Sequence, residues 1–281
     1  MIRYVVRPQS ILTTPRLLRN ALNARRTVVN RDPRRQFSYH SDFLLTLPPI
    51  EQIEEFNSAS SIRRCRNLRQ QHPNATKYGN ALEFYNASKL VQRRRMESNG
   101  IGVPDTYATY DEVCERLSTR AISDVFCDYV VRPLRHSQGI GYRLTRDPLD
   151  FEEGKEYISR LYPKAHEYRV IFVYGTPLIT LLKRVPDDID RDGPWNHATG
   201  SSFVTVTDPT KNRLRHFDVV DKLRAFDVVQ TAHLVGADIM LGPDKSGYAV
   251  TELNFCPSIT IPSNLERIKQ HVAQVLQEQG A

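Results

Sequence analysis

Glu252 and Asn254 lie two residues apart in the run Val250-Thr-Glu-Leu-Asn-Phe255, so on a strand both side chains leave the same face. An acid and an amide on one face of such an apolar run call for a polar group opposite. Residues 237–241 and 248–255 read as a hairpin around Gly242-Pro-Asp-Lys-Ser-Gly247. A turn centred near Asp244 and Lys245 brings Asp238 opposite Thr251 or Glu252. The oxygens of Asp238, Glu252 and Asn254 then converge, which suits a hard divalent cation, Mg²⁺ or Mn²⁺, that completes its shell with water and phosphate. The same three residues would also suit an ordinary polar sheet face with incidental acids.

A second cluster is Val130-Val131-Arg132-Pro133, running into Leu134-Arg-His-Ser137-Gln-Gly139-Ile-Gly141. Glycines let backbone N–H groups converge on an anion, and Arg132 adds a fixed charge with forked donors beside them. No GxxxxGK[ST] motif is present, so this is not a P-loop, and a glycine hairpin more often stands without phosphate than with it. Further on, Tyr157-Ile-Ser-Arg160-Leu161-Tyr162-Pro163 leads into Glu167-Tyr-Arg169-Val-Ile-Phe, which places Glu167 and Arg169 on one strand face. Cys256 beside Pro257, and His136 or His197, could be taken for a nucleophile and a base. The simpler reading is a structural cysteine and loop histidines.

These groups need a scaffold, and 281 residues at 40% hydrophobic and 25% charged content are enough for two or three lobes. No apolar run approaches the roughly eighteen residues that span a bilayer. The four cysteines form no CxxC pair, which excludes a zinc ribbon or disulfide framework and points to a reducing cytoplasm. Net charge is +7; residues 1–100 hold 18 Lys and Arg against 7 Asp and Glu, so they carry +11 and the remainder −4. Runs such as Arg63-Arg64-Cys65-Arg66 and Arg93-Arg94-Arg95 could meet an acidic partner, or form solvated helix faces. The first thirty-one residues hold arginines and no acid, as import segments do, yet they also read as strand, helix, strand.

That opening comprises residues 2–6, a helix behind Thr14-Pro15, and residues 27–29. Residues 30–80 give no clear pattern apart from the apolar run 43–47. Ser88 then caps a helix through Leu90, Val91 and Met96 that ends at Gly100, and Thr109 with Glu112 opens a second with Val113 and Leu117 inward. Strands are expected at 125–133, 141–145, 168–174, 178–182 and 202–206. A helix is expected over 218–234, closed by Gly236, and another capped by Ser263 with Glu266. No internal repeat is visible.

The order of these pieces resembles the ATP-grasp superfamily, most closely the glutamate ligases that extend the C-terminal tail of a ribosomal protein. The likeness covers about residues 86–258. It rests on Ser88-Lys89-Leu90 with Gly100-Ile-Gly-Val-Pro104, Val131-Arg132-Pro133 with the glycine loop, Glu167-Tyr-Arg169, Gly236-Ala-Asp238-Ile, and Glu252-Leu-Asn254-Phe-Cys-Pro257. The resemblance implies an α+β fold: an ATP-grasp fold whose two lobes sandwich ATP, preceded by a small α/β lobe. The expected divisions are an N-terminal lobe 1–85, a lid 86–165 and a catalytic part 166–281.

By that resemblance Lys89 and Arg132 contact the ATP phosphates, and Ser137, Gln138, Gly139, Ile140 and Gly141 close over them. Arg160, Leu161 and Tyr162 form the adenine hinge, Glu167 holds the ribose, and Asp238, Glu252 and Asn254 ligate Mg²⁺. Arg169, with Asn254, is implied to be catalytic and to stabilise the transferring phosphoryl group. Lys183, Arg184, Asn196 and His197 are implied to make further phosphate and substrate contacts. Two departures stand out: Arg132 replaces the usual lysine, and no glycine follows Pro257. The implied activity is ATP-dependent ligation of a carboxylate to an amine through an acyl-phosphate. An ATP-grasp kinase, and a nucleic-acid-binding protein using the basic N-terminal third, are the alternatives.

Overall fold

The computed structural model describes strands Arg3–Val6, Arg25–Val28 and Phe43–Thr46, then residues 84, 87–119, 128–134, 141–190, 192–195, 199–232, 234–243, 246–255, 257 and 261–278. Three sheets organise them. β1 (Arg3–Val6) pairs parallel with β2 (Arg25–Val28) and antiparallel with β3 (Phe43–Thr46). The opening strands and the apolar run at 43 therefore form one small sheet, in the order β2-β1-β3.

α1 (Lys89–Ser98) follows, with the Ser88 hydroxyl accepting from Val91 N at 3.3 Å, and it stops at Asn99 before Gly100, whose φ is 72°. Leu90 and Met96 are buried, while Val91 faces out at 51% exposure. β4 (Thr106–Tyr107) leads to α2 (Tyr110–Ser118), where Thr109 Oγ1 accepts from Glu112 N at 3.2 Å. The capping box is displaced by one residue, since Glu112 accepts from Ala108 N at 2.7 Å.

β5 (Tyr129–Pro133), β6 (Arg143–Thr145) and β7 (Glu156–Arg160) complete a four-stranded sheet in the order β4-β7-β5-β6. Its core joins Val113 of α2 to Tyr129, Val131, Phe151 and Ile158. Residues 125–127 of the strand expected over 125–133 lie outside the described residues.

The larger sheet is antiparallel and ordered β10-β9-β8-β11-β12. β8 (His166–Val173) and β9 (Thr176–Arg184) turn on Tyr174 and Gly175, both at positive φ (49° and 74°), the two-residue hairpin geometry whose twist matches the strands. β10 (Ser202–Thr205) forms one edge, and β11 (Leu234–Leu241) with β12 (Tyr248–Asn254) forms the hairpin expected from sequence.

Between them the single helix expected over 218–234 is instead two short ones, α3 (Val219–Ala225) and α4 (Asp227–Thr231), broken at an extended Phe226. Leu234, Val235 and Gly236 belong to β11, because an apolar run buried on both faces has the same pattern as a buried helix. α5 (Pro262–Glu278) starts one residue before Ser263, which falls in its first turn. Phe84, Met96, Val219, Leu223, Phe226, Val228 and Val229 pack on one face of this sheet against Tyr168, Val170, Phe172, Val235, Ala237, Ile239, Val250 and Leu253. No helix of the described residues is long and apolar enough to cross a membrane.

Candidate active site

The opposite face of the large sheet carries a row of charged and polar side chains. Register places Arg169 of β8 beside Asp238 of β11, and Asp238 beside Glu252 of β12, in one row across three strands. Asn254, opposite Gly236, lies on the same face two residues on. The hairpin reaches this arrangement through a bulge: Asp238 pairs with Glu252 but Ile239 pairs with Val250, so Thr251 is the extra residue and donates its hydroxyl to Asp238 O at 3.1 Å. The bulge turns Val250 and Leu253, three apart, towards the same core, and leaves Glu252 and Asn254 on the polar face.

Arg169 and Asp238 form a bidentate pair, Nε–Oδ1 at 2.5 Å and Nη2–Oδ2 at 2.7 Å, with side chains only 10% and 7% exposed. Burial disfavours the Arg169 cation, but Asp238 more than offsets it and holds the guanidinium above its usual value. The guanidinium also lies 4.5 Å from the Phe203 ring centre. Gly236 makes room for this: a Cβ there would stand 3.2 Å from Arg169 Cδ and 3.0 Å from Pro257 Cβ.

Lys89 opens α1 against β5, its backbone N donating to Leu134 O at 3.1 Å, and its ammonium reaches Glu252 Oε2 at 3.4 Å. The lysine and the carboxylate implied for phosphate and cation are thus neighbours. One turn along the same helix face, Arg93 is 3% exposed, lies 5.2 Å from the Tyr157 ring centre and donates to Thr106 Oγ1 at 3.0 Å. Burial lowers its pKa, with Tyr157 and Glu252 opposing and Arg132 adding to the shift. Arg94 instead pairs with Glu112, and Arg95 with Asp227 at 2.8 Å. The Arg93-Arg94-Arg95 run is therefore neither one patch nor one solvated face. The four-residue spacing from Lys89 to Arg93 was the missed sign that they share a face.

Arg132 sits on β5 with its guanidinium 5.4 Å from the Tyr142 ring centre, and its Nε is buried without an acceptor among the described residues. Gly141, at φ 74°, packs its Cα against Pro133: a Cβ would come within 2.6 Å of Pro133 Cγ. Ser137, Gln138, Gly139 and Ile140, with His136, Asn196, His197 and Cys256, lie outside the described residues.

Arg160, Leu161 and Tyr162 lead from β7 of the smaller sheet to β8 of the larger. Arg160 N and Leu161 N donate to Asp105 O and Asp128 O at 2.9 and 2.8 Å, and the Tyr162 hydroxyl meets the backbone of Gly242. Glu167 does not stand alone as a ribose acceptor: it is paired with Lys183, both nearly buried, and Lys183 also donates to Trp195 O at 2.8 Å. Burial pushes the Glu167 carboxyl up, while Lys183 pulls it back.

The residues fit the groups implied. A carboxylate offers about four lone-pair positions, so Asp238 can serve Arg169 and still present oxygen to a cation. Glu252 is 35% exposed at its side chain, and its amide neighbour Asn254 is also part-exposed. Two carboxylates and an amide match an ion that keeps several waters. Among the described residues no three or more His, Cys, Asp or Glu come together in a group that could hold a metal. The unsatisfied Nε of Arg132 suits an anion.

No family model matches the sequence, and no curated protein matches it. Solved structures do match in shape. The D-cycloserine synthetase DcsG superposes at TM-score 0.58 with 14% identity, over 97% of this chain and 99% of that one. The ATP-grasp ligase PsnB, in complex with a phosphomimetic precursor variant, Mg and ADP, gives 0.54 at 14% identity over 99% and 98%. The macrocyclase MdnC from Microcystis aeruginosa MRC, bound to precursor peptide MdnA, gives 0.53 at 14% over 98% of each chain. With its four-stranded lobe, its five-stranded lobe and the polar row between Lys89 and Arg169, this chain has the α+β ATP-grasp fold.

Proposed function

We propose that this chain is an ATP-dependent carboxylate–amine ligase. The observation that carries the reading is the row Arg169–Asp238–Glu252 with Lys89 at its end, a line of alternating charge across three strands. Mg-ATP, when bound, would supply the γ-phosphoryl group that turns a substrate carboxylate into an acyl-phosphate with release of ADP, and an amine would then attack the acyl carbon and expel phosphate to give the amide.

The chain's own residues bind and orient. Lys89 from α1 and Arg132 from the smaller sheet serve as cations for the phosphates, with Ser137, Gln138, Gly139, Ile140 and Gly141 as the closing loop. Asp238, Glu252 and Asn254 would hold the divalent ion. Arg169, fixed by Asp238, presents its remaining donors to negative charge developing on the transferred group, and because the pair is already ordered little reorganisation is needed. Glu167, held by Lys183, remains available to a ribose hydroxyl by its second oxygen. Arg160, Leu161 and Tyr162 line the adenine end. Two structural neighbours were solved with precursor peptides, so peptide carboxylates and amines are the first substrates to try.

The test is ADP release across amino acids and peptides, with hydroxylamine added to trap an activated carboxylate as the hydroxamate. Substrate-stimulated turnover, a trapped hydroxamate and loss of both in Glu252→Gln are expected. Phosphorylated product without amide would mark a kinase; turnover unaffected by Glu252→Gln would remove the metal assignment.

A further inference from the structure

Nothing in the reaction above uses Lys164, in the connection between β7 and β8. Its ammonium donates to Gly193 O at 2.8 Å and stands 4.4 Å from the centre of the Trp195 ring. Neither neighbour carries charge. The ionisable groups that bear on it are the acids Glu167 and Asp192 and the cations Lys183 and Arg132. Glu167 is already engaged by Lys183, and Asp192 is exposed, its carbonyl accepting from the Tyr142 hydroxyl. Asp190, whose Oδ1 accepts from Asp192 N at 3.0 Å, is a third acid beside the Gly193 turn, so three cations meet three acids and what the place lacks is acceptors. Two buried donors there, Arg132 Nε and Trp195 Nε1, find no acceptor among the described residues.

We propose that Lys164 is a further polyphosphate-contacting residue, which together with Arg132 neutralises the bound nucleotide and exchanges the Gly193 carbonyl for a phosphate oxygen. This rests on the reading of the cleft as an ATP site. The carbonyl and the ring hold the ammonium in place while the cleft is free; a carbonyl dipole is a weaker partner than a phosphate charge. Arg132 approaches from the smaller lobe and Lys164 from the connection, so both lobes' charges would meet on one ligand.

A consequence can be counted in protons. Burial, only partly offset by Glu167, lowers the Lys164 ammonium from 10.5 to about 8 in the free protein. A polyanion favours the charged form and raises the value again, so binding takes up a proton at pH above about 8. Affinity is then flat with pH below that point and falls above it, by up to about tenfold per pH unit.

The experiment titrates Mg-ADP into the full chain by calorimetry at about pH 7 and about pH 9, in buffers of different ionisation heat. ADP's own phosphate, ionising near about pH 6, is about nine-tenths charged or more at both. Trp195, the sole tryptophan of the chain, reports the same event by fluorescence. The wild type is expected to take up close to one proton at about pH 9 and almost none at about pH 7. Lys164→Arg, which keeps the charge but does not titrate, should bind within a few-fold of wild type and take up none. Lys164→Met should bind about tenfold or more weakly at about pH 7. Uptake persisting in Lys164→Arg, or unchanged affinity in Lys164→Met, overturns this inference and leaves the ATP site standing. A wild type that binds neither Mg-ADP nor Mg-ATP overturns both.

Discussion

Replacing Asp238 by alanine strips a buried guanidinium of both of its short hydrogen bonds. The pair is 10% and 7% exposed, and the remaining neighbours of Arg169 are the Phe203 ring at 4.5 Å and the more distant carboxylates of Glu252 and Glu167. Removing one partner of such a buried pair costs about 3–5 kcal/mol, since the other charge is left without compensation. At about 2–4 °C per kcal/mol for chains of this order of size, Tm should fall by roughly 6–20 °C. The double variant Arg169→Met/Asp238→Leu removes both charges and fills the space, so it should recover most of that loss. It should nevertheless be inactive, because it lacks a proposed cation ligand and the phosphoryl-stabilising charge. Thermal melts of the wild type, Arg169→Met, Asp238→Leu and the double variant close a mutant cycle, with ADP release measured beside them. If Asp238→Ala melts within about 0.5 kcal/mol of wild type, or if the double variant loses the sum of the singles, the two residues are not one buried unit. An active double variant would show that neither takes part in the reaction.

Two glycine substitutions test the geometry around that pair. Gly236→Ala should leave a folded protein destabilised by about 1–3 kcal/mol, because its Cβ would press on Arg169 Cδ and Pro257 Cβ. Turnover should fall by about tenfold or more as Arg169 loses its alignment, whereas full activity would mean that Arg169's placement is not critical. Gly141→Ala meets Pro133 Cγ at 2.6 Å with φ at 74°, while Gly154→Ala has φ 79° and nothing within 4 Å. Both should lose about 1–2 kcal/mol for the left-handed backbone, but only Gly141→Ala should weaken Mg-ADP binding, read by Trp195 fluorescence. Equal affinities would separate the Gly141 turn from the nucleotide.

Much of the local structure could be read from residue types. Ser88 and Thr109 accept from the backbone of the first turns they precede, since capping depends on a hydroxyl at one position and the chain immediately after it. The same-face placement of Glu252 and Asn254 follows from the two-residue period of a strand, and the hairpin that carries Asp238 follows from its glycines and proline. What sequence could not determine was pairing between distant segments. Arg169 and Asp238 are 69 residues apart and meet because β8 and β11 are neighbours in the sheet, which no local pattern announces. Likewise Glu167 found Lys183 across the β8–β9 hairpin, and Arg93 turned inward because a second sheet covers its side of α1. Thr251 as a bulge, and the break of the 218–234 helix at Phe226, reflect the same cause. Periodicity records which side chains are apolar, whereas the sheet order and the closeness of two lobes decide which surface each side chain meets.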